Sequence, residues 1–328
     1  MSVRTRLRHW LGWHRRRLLR PRAAATAAPL ESAAATAATA ATGAPAAAAP
    51  RNPEVAALAD RYEERVREFY AYLPADVKEL FVGDALYHRV RYLDMLAQPF
   101  GDEVVELGSD KPFITHYLRT LNPRSRVHTI SIDIPYSPYP IIRIDIESEP
   151  FPFADGSVSD VVFTEVLEHL FRDPAWTIAE IARVLKVGGR LFLTTPNACG
   201  YDILVNLLSQ VNPNGRNQFY KSIESGHPHL WTADECRTLL EAHGFAMESL
   251  TTVDYYDMPL PAAVRTFLAA NSVDPARNGQ VLRIVAAKRR TVPGVVYPET
   301  LFPQGQGVRL GGALRKWAER ELKEGGGR

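Results

Sequence analysis

The chain has 328 residues, 46% hydrophobic and 23% charged, enough for one large α/β domain with appendages and ordinary for a globular protein. No run reaches the ~18 apolar residues of a membrane span, and two distant cysteines, Cys199 and Cys236, give neither a disulfide framework nor zinc-ligand spacing, which suits a reducing, cytoplasmic compartment. The net charge of +2 hides eight arginines in residues 1–22 with no acid among them; subtracting eight from +2 leaves −6 for the rest, a poor platform for gripping a nucleic-acid backbone.

Residues 1–22 place Leu7, Trp10, Leu11, His14 and Leu18 on one helical face with arginines elsewhere. Three readings stand: a basic amphipathic helix making peripheral contact with an anionic membrane, a solvated basic tail, or a transit peptide. Residues 23–50 are Ala/Thr/Pro low complexity without large apolar groups, so residues 1–50 are expected to form a disordered tail. Residues 51–98 are expected to form a helical cap. In it Val55, Leu58, Tyr62, Val66, Phe69 and Tyr70 recur at helical spacing after an Asn52-Pro53 start, and a second helix runs from Ala75 to about Leu96.

From residue 99 to 290 strand and helix patterns alternate, the mark of a mostly parallel sheet. Strands are expected at 103–107, 127–133, 141–146, 160–164, 189–195, 246–253 and 281–287. The segment "TADECRTLLEAHGF" reads as a helix capped by Thr232 and ended by Gly244. Residues 198–230 form an insertion before that helix. Residues 291–328 form a Gly/Pro-containing arm with a short helix over "GALRKWAERELKE".

Within the sheet pattern, "VVELGSDKPF" ends a strand at Glu106-Leu107-Gly108, where open α/β sheets bind ligands, and Gly108 permits close backbone approach. Asp133 closes "HTISID", 25 positions after Gly108, near the ~20 at which an acid takes ribose hydroxyls; a plain surface acid is the other reading. Asp145-Ile146 precede "PFPFADGSVSD", Thr164 and Glu165 end the fourth strand pattern in "VVFTEVLEHL", and Glu168-His169 begin the next helix. "VLKVGGRLFLTTPN" completes the set.

In this order and spacing the segments resemble class I S-adenosylmethionine-dependent methyltransferases, over about residues 100–290. The resemblance implies an α/β, Rossmann-like seven-stranded sheet with helices on both faces. It implies S-adenosyl-L-methionine as cofactor, held by Glu106, Gly108, Ser109, Asp133, Ile134, Asp145, Ile146, Thr164 and Glu165. Asp133 would take the ribose, Ile134 would flank the adenine, Asp145 would meet the adenine amino group, and the Ile146 amide a ring nitrogen. Asp110 and Pro112 stand where the family usually carries further glycines. The Asn-Pro-Pro-aromatic motif of enzymes that methylate nucleic-acid amino groups is absent after the fourth strand pattern.

The insertion carries Tyr201, Asn212, Asn214, Arg216, Asn217, Tyr220 and Lys221, then "GHPHLWT". It is polar and aromatic, which suits a small-molecule or glycan acceptor methylated at a hydroxyl. His227 and His229 are the preferred base candidates because histidine titrates near working pH, and His169 is a third; each has the alternative of only ordering its loop. No spacing singles out a metal cluster. Two other functions stay open: methylation of a quinone or other lipid-linked acceptor at a membrane, and a non-catalytic scaffold acting through partners.

Overall fold

The computed structural model describes residues 53–132, 134, 136–213, 226–256, 261–270 and 278–302. The basic tail, the Asn52 cap, Asp133, residues 214–225 and the C-terminal helix at 312–324 lie outside them. No helix among the described residues is long and apolar enough to cross a membrane.

Among the described residues four α-helices come first: α1 (Pro53–Asp60), α2 (Tyr62–Phe69), α3 (Ala75–Tyr87) and α4 (Arg89–Leu96). The single helix expected from Ala75 to Leu96 is therefore two, broken at His88. There follow β1 (Glu103–Leu107), α5 (Phe113–Leu121), β2 (Arg126–Ile130), β3 (Val158–Thr164), α6 (Pro174–Val184) and β4 (Leu185–Pro196). The rest is α7 (Tyr201–Leu208), α8 (Ala233–Ala242), β5 (Phe245–Val253), α9 (Ala262–Ala270) and β6 (Val281–Lys288). The sheet order is β2-β1-β3-β4-β6-β5, with β6 antiparallel to both neighbours and the other pairings parallel.

The sheet has six strands among the described residues, not seven. The expected strand at 141–146 contributes one parallel bridge, Ile130 to Ile142, fixed by the Ile142 N–H donating to Thr129 O (2.9 Å) and the Ser131 N–H to Ile142 O (3.1 Å). Pro138 and Pro140 lead into it without N–H donors, and a turn at Asp145 ends it: its carbonyl accepts from the Ser148 and Glu149 N–H groups at 3.1 and 2.8 Å.

Period-two alternation sends each strand's side chains to two different cores. Val105, Leu107, Val161, Phe163, Leu191 and Leu193 pack with α6 and α8. Val104, Val127, Val162 and Phe192 pack with α1 to α5. The second core is aromatic: Tyr62 meets Phe113 edge-on at 5.5 Å, Tyr70 meets Phe81 at 5.2 Å, and the buried Tyr62 hydroxyl donates to Ala85 O at 2.9 Å. Each such side chain contributes about 1.5–3 kcal/mol by leaving water. The first helices are thus one wall of the sheet's core.

Polar pins tie the wall and the strands together. Asp94 on α4 accepts from Arg283 Nε (2.6 Å) and Nη2 (3.2 Å) on β6 and from the Tyr255 hydroxyl (2.6 Å). At the other end of the strands, Asp160 accepts from Arg190 Nε and Nη2 at 3.0 and 2.8 Å and from the Gly101 N–H at 2.6 Å. On α8 the expected cap is present. Thr232 Oγ1 accepts from the Glu235 N–H (3.2 Å), Glu235 returns a bond to the Thr232 N–H (2.8 Å), and Gly244 follows the helix at φ +88°.

Candidate active site

The carboxyl ends of β1, β3 and β4 meet at one edge of the sheet. After β1 the chain turns at Gly108 with φ +73°; a Cβ there would lie 2.4 Å from Val166 Cγ2. Only glycine lets this turn close against the turn after β3. Glu106, just before it, is 3% exposed. Its carboxylate accepts from Thr115 Oγ1 on α5, which also meets Thr129 Oγ1 at 3.0 Å. Burial pushes the Glu106 carboxyl up to about 7, against hydrogen bonds from Thr115 and Ser109. Ser109 is buried, and its hydroxyl donates to Lys111 O at 3.3 Å. Lys111 is buried too, paired with Asp110 and, at 3.2 Å, with Asp84 of α3. Where further glycines are usual, this turn therefore holds an ion-pair network anchored on the first helices.

β3 ends at the half-buried Thr164, and Glu165 follows with φ +55°. A left-handed conformation in a residue other than glycine costs about 1–3 kcal/mol and marks functional sites. Two bonds to Thr194 hold it: the Glu165 N–H donates to Thr194 O (2.8 Å), and Thr194 Oγ1 donates to Glu165 Oε1 (2.9 Å). Glu168, 1% exposed, accepts from Thr195 Oγ1 at 3.0 Å. Burial and the neighbouring Glu165 charge push its carboxyl well above the ordinary range. Glu168 and His169 were expected to open a helix. They form a 3-10 turn, Leu167–His169, and α6 starts only at Pro174, behind its Asp173 cap.

The first helices supply groups that no motif announced. Arg91 is buried, and its Nε has no hydrogen-bond partner among the described residues. Burial works against its charge, but Tyr256, Tyr92, Glu165 and Asp84 hold it on. The Tyr256 hydroxyl lies 3.4 Å from Glu165 Oε2 and 3.4 Å from His88 Nδ1, and its ring stacks on Tyr87 at 4.9 Å. In sequence, Arg91 and His88 are merely polar positions of a helix, and Tyr256 follows a strand with no local signature.

The other expected residues are spread along the same edge. Ile134 is buried beside Asp133, which lies outside the described residues. Asp145 pairs with Arg172. Burial opposes its charge, but bonds from Arg172 and the Glu147 N–H hold the carboxyl below the ordinary value. Ile146 is buried, and its carbonyl accepts from Thr177 Oγ1 at 3.0 Å.

Of the three histidines, two converge. His169 and His227 meet edge-to-face with ring centroids 4.7 Å apart, and His169 Nδ1 donates to Gly226 O at 2.8 Å. Burial lowers the His169 pKa. His229 is exposed, 3.5 Å from Glu235 and edge-on to Trp231. Of the named insertion residues, Tyr201 and Asn212 are described; Asn214, Arg216, Asn217, Tyr220 and Lys221 lie outside.

A family model described as a methyltransferase domain matches residues 63–250, a stretch that holds all these groups except Tyr256. The chain is a class I S-adenosylmethionine-dependent methyltransferase. As such it is an enzyme, which retires the scaffold reading. The match begins inside α2, so the methyltransferase includes most of the helical wall. Among solved structures, S-adenosylmethionine-dependent methyltransferases resemble its fold. That from Archaeoglobus fulgidus has 13% identity and TM-score 0.44, covering 62% of this chain and 94% of that one. That from Mesorhizobium loti has 15% identity and TM-score 0.39, covering 62% and 99%. That from Aquifex aeolicus has 12% identity and TM-score 0.38, covering 69% and 98%. Among curated proteins none matches the methyltransferase in sequence.

Proposed function

We propose that this methyltransferase acts on a hydroxyl of a small-molecule or glycan acceptor. The observation that carries this is the chemistry of the edge: Glu165, Tyr256, His88 and the His169–His227 pair gather where β1, β3 and β4 end. Such a surface offers hydrogen bonds to several hydroxyls and little to an alkyl tail. Acceptor choice by these groups is steep, because an analogue lacking a hydroxyl would leave them unpaired.

The residues fit S-adenosylmethionine. The unpartnered Arg91 Nε suits the carboxylate of its amino-acid end. Gly108 lets the backbone approach, and Glu106, Ser109 and Thr164 shape the floor under it. Glu165 suits the amino group, Asp133 the ribose, and Ile134 and Ile146 the adenine faces and edge. Asp145 reaches the adenine amino group only by sharing its carboxylate with Arg172. Bound S-adenosylmethionine supplies an electrophilic methyl group on a sulfonium. The protein must then align the acceptor oxygen in line at ~3–3.5 Å and relieve it of its proton. His169 and His227 stand together for that task. His229, engaged by Glu235, ranks behind them.

A second reading, a lipid-linked acceptor, draws on the exposed Leu207 and Leu208 of α7 and Val211 beyond it. Cytoplasmic residence, at a membrane surface in the second reading, completes each proposal.

The test has two stages. Titration with S-adenosylhomocysteine should give saturable binding, weakened about 10- to 100-fold in Asp133→Ala, the worth of hydrogen bonds to a charged group. An acceptor screen should then give turnover with water-soluble sugars or hydroxylated small molecules, and His227→Ala should lose ~10²-fold or more in kcat. Turnover confined to lipid-linked acceptors would select the second reading. Full turnover in both the His169 and His227 variants would sink the assignment of that pair.

A further inference from the structure

Three cation-binding atoms converge just past the carboxyl end of β3. One carboxylate oxygen of Glu168 and one ring nitrogen each of His169 and His227 lie within 4.8 Å of one another. A divalent ion about 2.1 Å from each ligand needs ligand separations of about 3–4.2 Å, and Glu168 Oε1 already stands 3.9 Å from His169 Nε2. Small side-chain rotations close the rest.

Outer contacts point the same way. His169 Nδ1 donates to the Gly226 carbonyl at 2.8 Å, which fixes the tautomer and leaves the lone pair on Nε2, the atom facing Glu168. Metal-ligating histidines are typically held by this kind of bond. Glu168 Oε2 accepts from Thr195 Oγ1 at 3.0 Å, orienting the other oxygen. Glu168 is 1% exposed, so its carboxylate is committed to the interior.

We propose that Glu168, His169 and His227 form a binding site for a divalent transition-metal cation that holds the acceptor hydroxyl. Two imidazoles and one carboxylate suit Zn²⁺, Mn²⁺, Fe²⁺ or Co²⁺, and three protein ligands leave positions open for water or an acceptor oxygen. This rests on the hydroxyl-acceptor reading and refines it: the histidines assist deprotonation through the cation rather than by taking the proton. The hydroxyl proton passes to solvent water, the oxygen's electron pair forms the bond to the methyl carbon, and the C–S pair stays on sulfur. No further reactant is consumed. An acceptor with two neighbouring hydroxyls fits best, because both oxygens can occupy the open positions.

The experiment is titration of Co²⁺, Zn²⁺ and Mn²⁺ into chelator-stripped full-length protein, with S-adenosylhomocysteine binding followed on the same samples. About one ion per chain is expected, with a visible ligand-field band in the Co²⁺ form. Glu168→Gln and His227→Ala should each weaken the ion by about 100-fold or more, and Thr195→Val by about 10-fold, while S-adenosylhomocysteine affinity changes less than about threefold. A stripped chain that binds S-adenosylhomocysteine and takes up no ion overturns the site, as does equal ion affinity in wild type, Glu168→Gln and His227→Ala. Ion binding without S-adenosylhomocysteine binding would uphold the site and overturn the cofactor assignments instead.

Discussion

At the scale of single residues, Glu106 ties the fold to pH. Its carboxyl, 3% exposed, is pushed up from 4.5 to about 7 by burial. Between those values the native state holds a proton that the unfolded chain has released, so stability falls as pH rises. The contribution is fully present below about 4.5 and lost through about 7, worth up to about 3 kcal/mol at 1.36 kcal/mol per unit. Urea unfolding of the ligand-free protein should show that decline, and Glu106→Gln should flatten it; parallel profiles for the two proteins would refute the assignment. Glu106, Gly108 and Glu165 were legible in sequence because motif spacing fixes them at strand ends. Arg91 was not, because a buried arginine in an amphipathic helix reads as a solvated one until the sheet edge it faces is known. Glu168 was visible, but its chemistry depends on His227, 59 positions later, and on a loop that no pattern specifies.

At the scale of elements, two polar devices carry different weights. The Asp94–Arg283–Tyr255 clamp ties α4 to β6 and to the segment just after β5, with Arg283 17% and Asp94 28% exposed at the side chain. Asp94→Ala would leave a half-buried guanidinium and a buried phenol without their acceptor, and should lower unfolding free energy by about 3 kcal/mol. Thr232→Ala removes two hydrogen bonds to Glu235 at the half-buried start of α8 and should cost about 1 kcal/mol. Denaturant titration of both variants ranks them; a smaller loss at Asp94 than at Thr232 would show that the clamp is solvated. Six strands were legible from alternation and β-branched runs. The seventh, at 141–146, failed because its apolar residues have the right pattern but prolines before it and the Asp145 turn leave room for one bridge. The break at His88 went unread because apolar spacing continues through it, and the clamp because its partners are 189 positions apart.

At the scale of the whole molecule, the sheet has two apolar faces and needs two walls. α6 and α8 make one; α1 to α5 make the other. Removing residues 1–50 should therefore leave S-adenosylhomocysteine binding and thermal stability unchanged. Removing residues 1–98 uncovers Val104, Val127, Val162 and Phe192 and deletes Arg91, and should abolish soluble expression. Soluble yield and thermal melts of the two truncations decide this, and a soluble, ligand-binding protein from the shorter one would make the helices dispensable.

The clamp also sets a clock. Arg283 follows Asp94 by 189 residues, which a ribosome adding 5–20 residues per second needs about 10–40 s to make. Through that interval the aromatic wall of Tyr62, Tyr70 and Phe81 has emerged while its last anchoring strand does not yet exist. The strands that cover the wall are made between residues 103 and 196, so the nascent chain first carries an uncovered wall and then an unpinned one, and folding helpers would be most needed before β4 is complete.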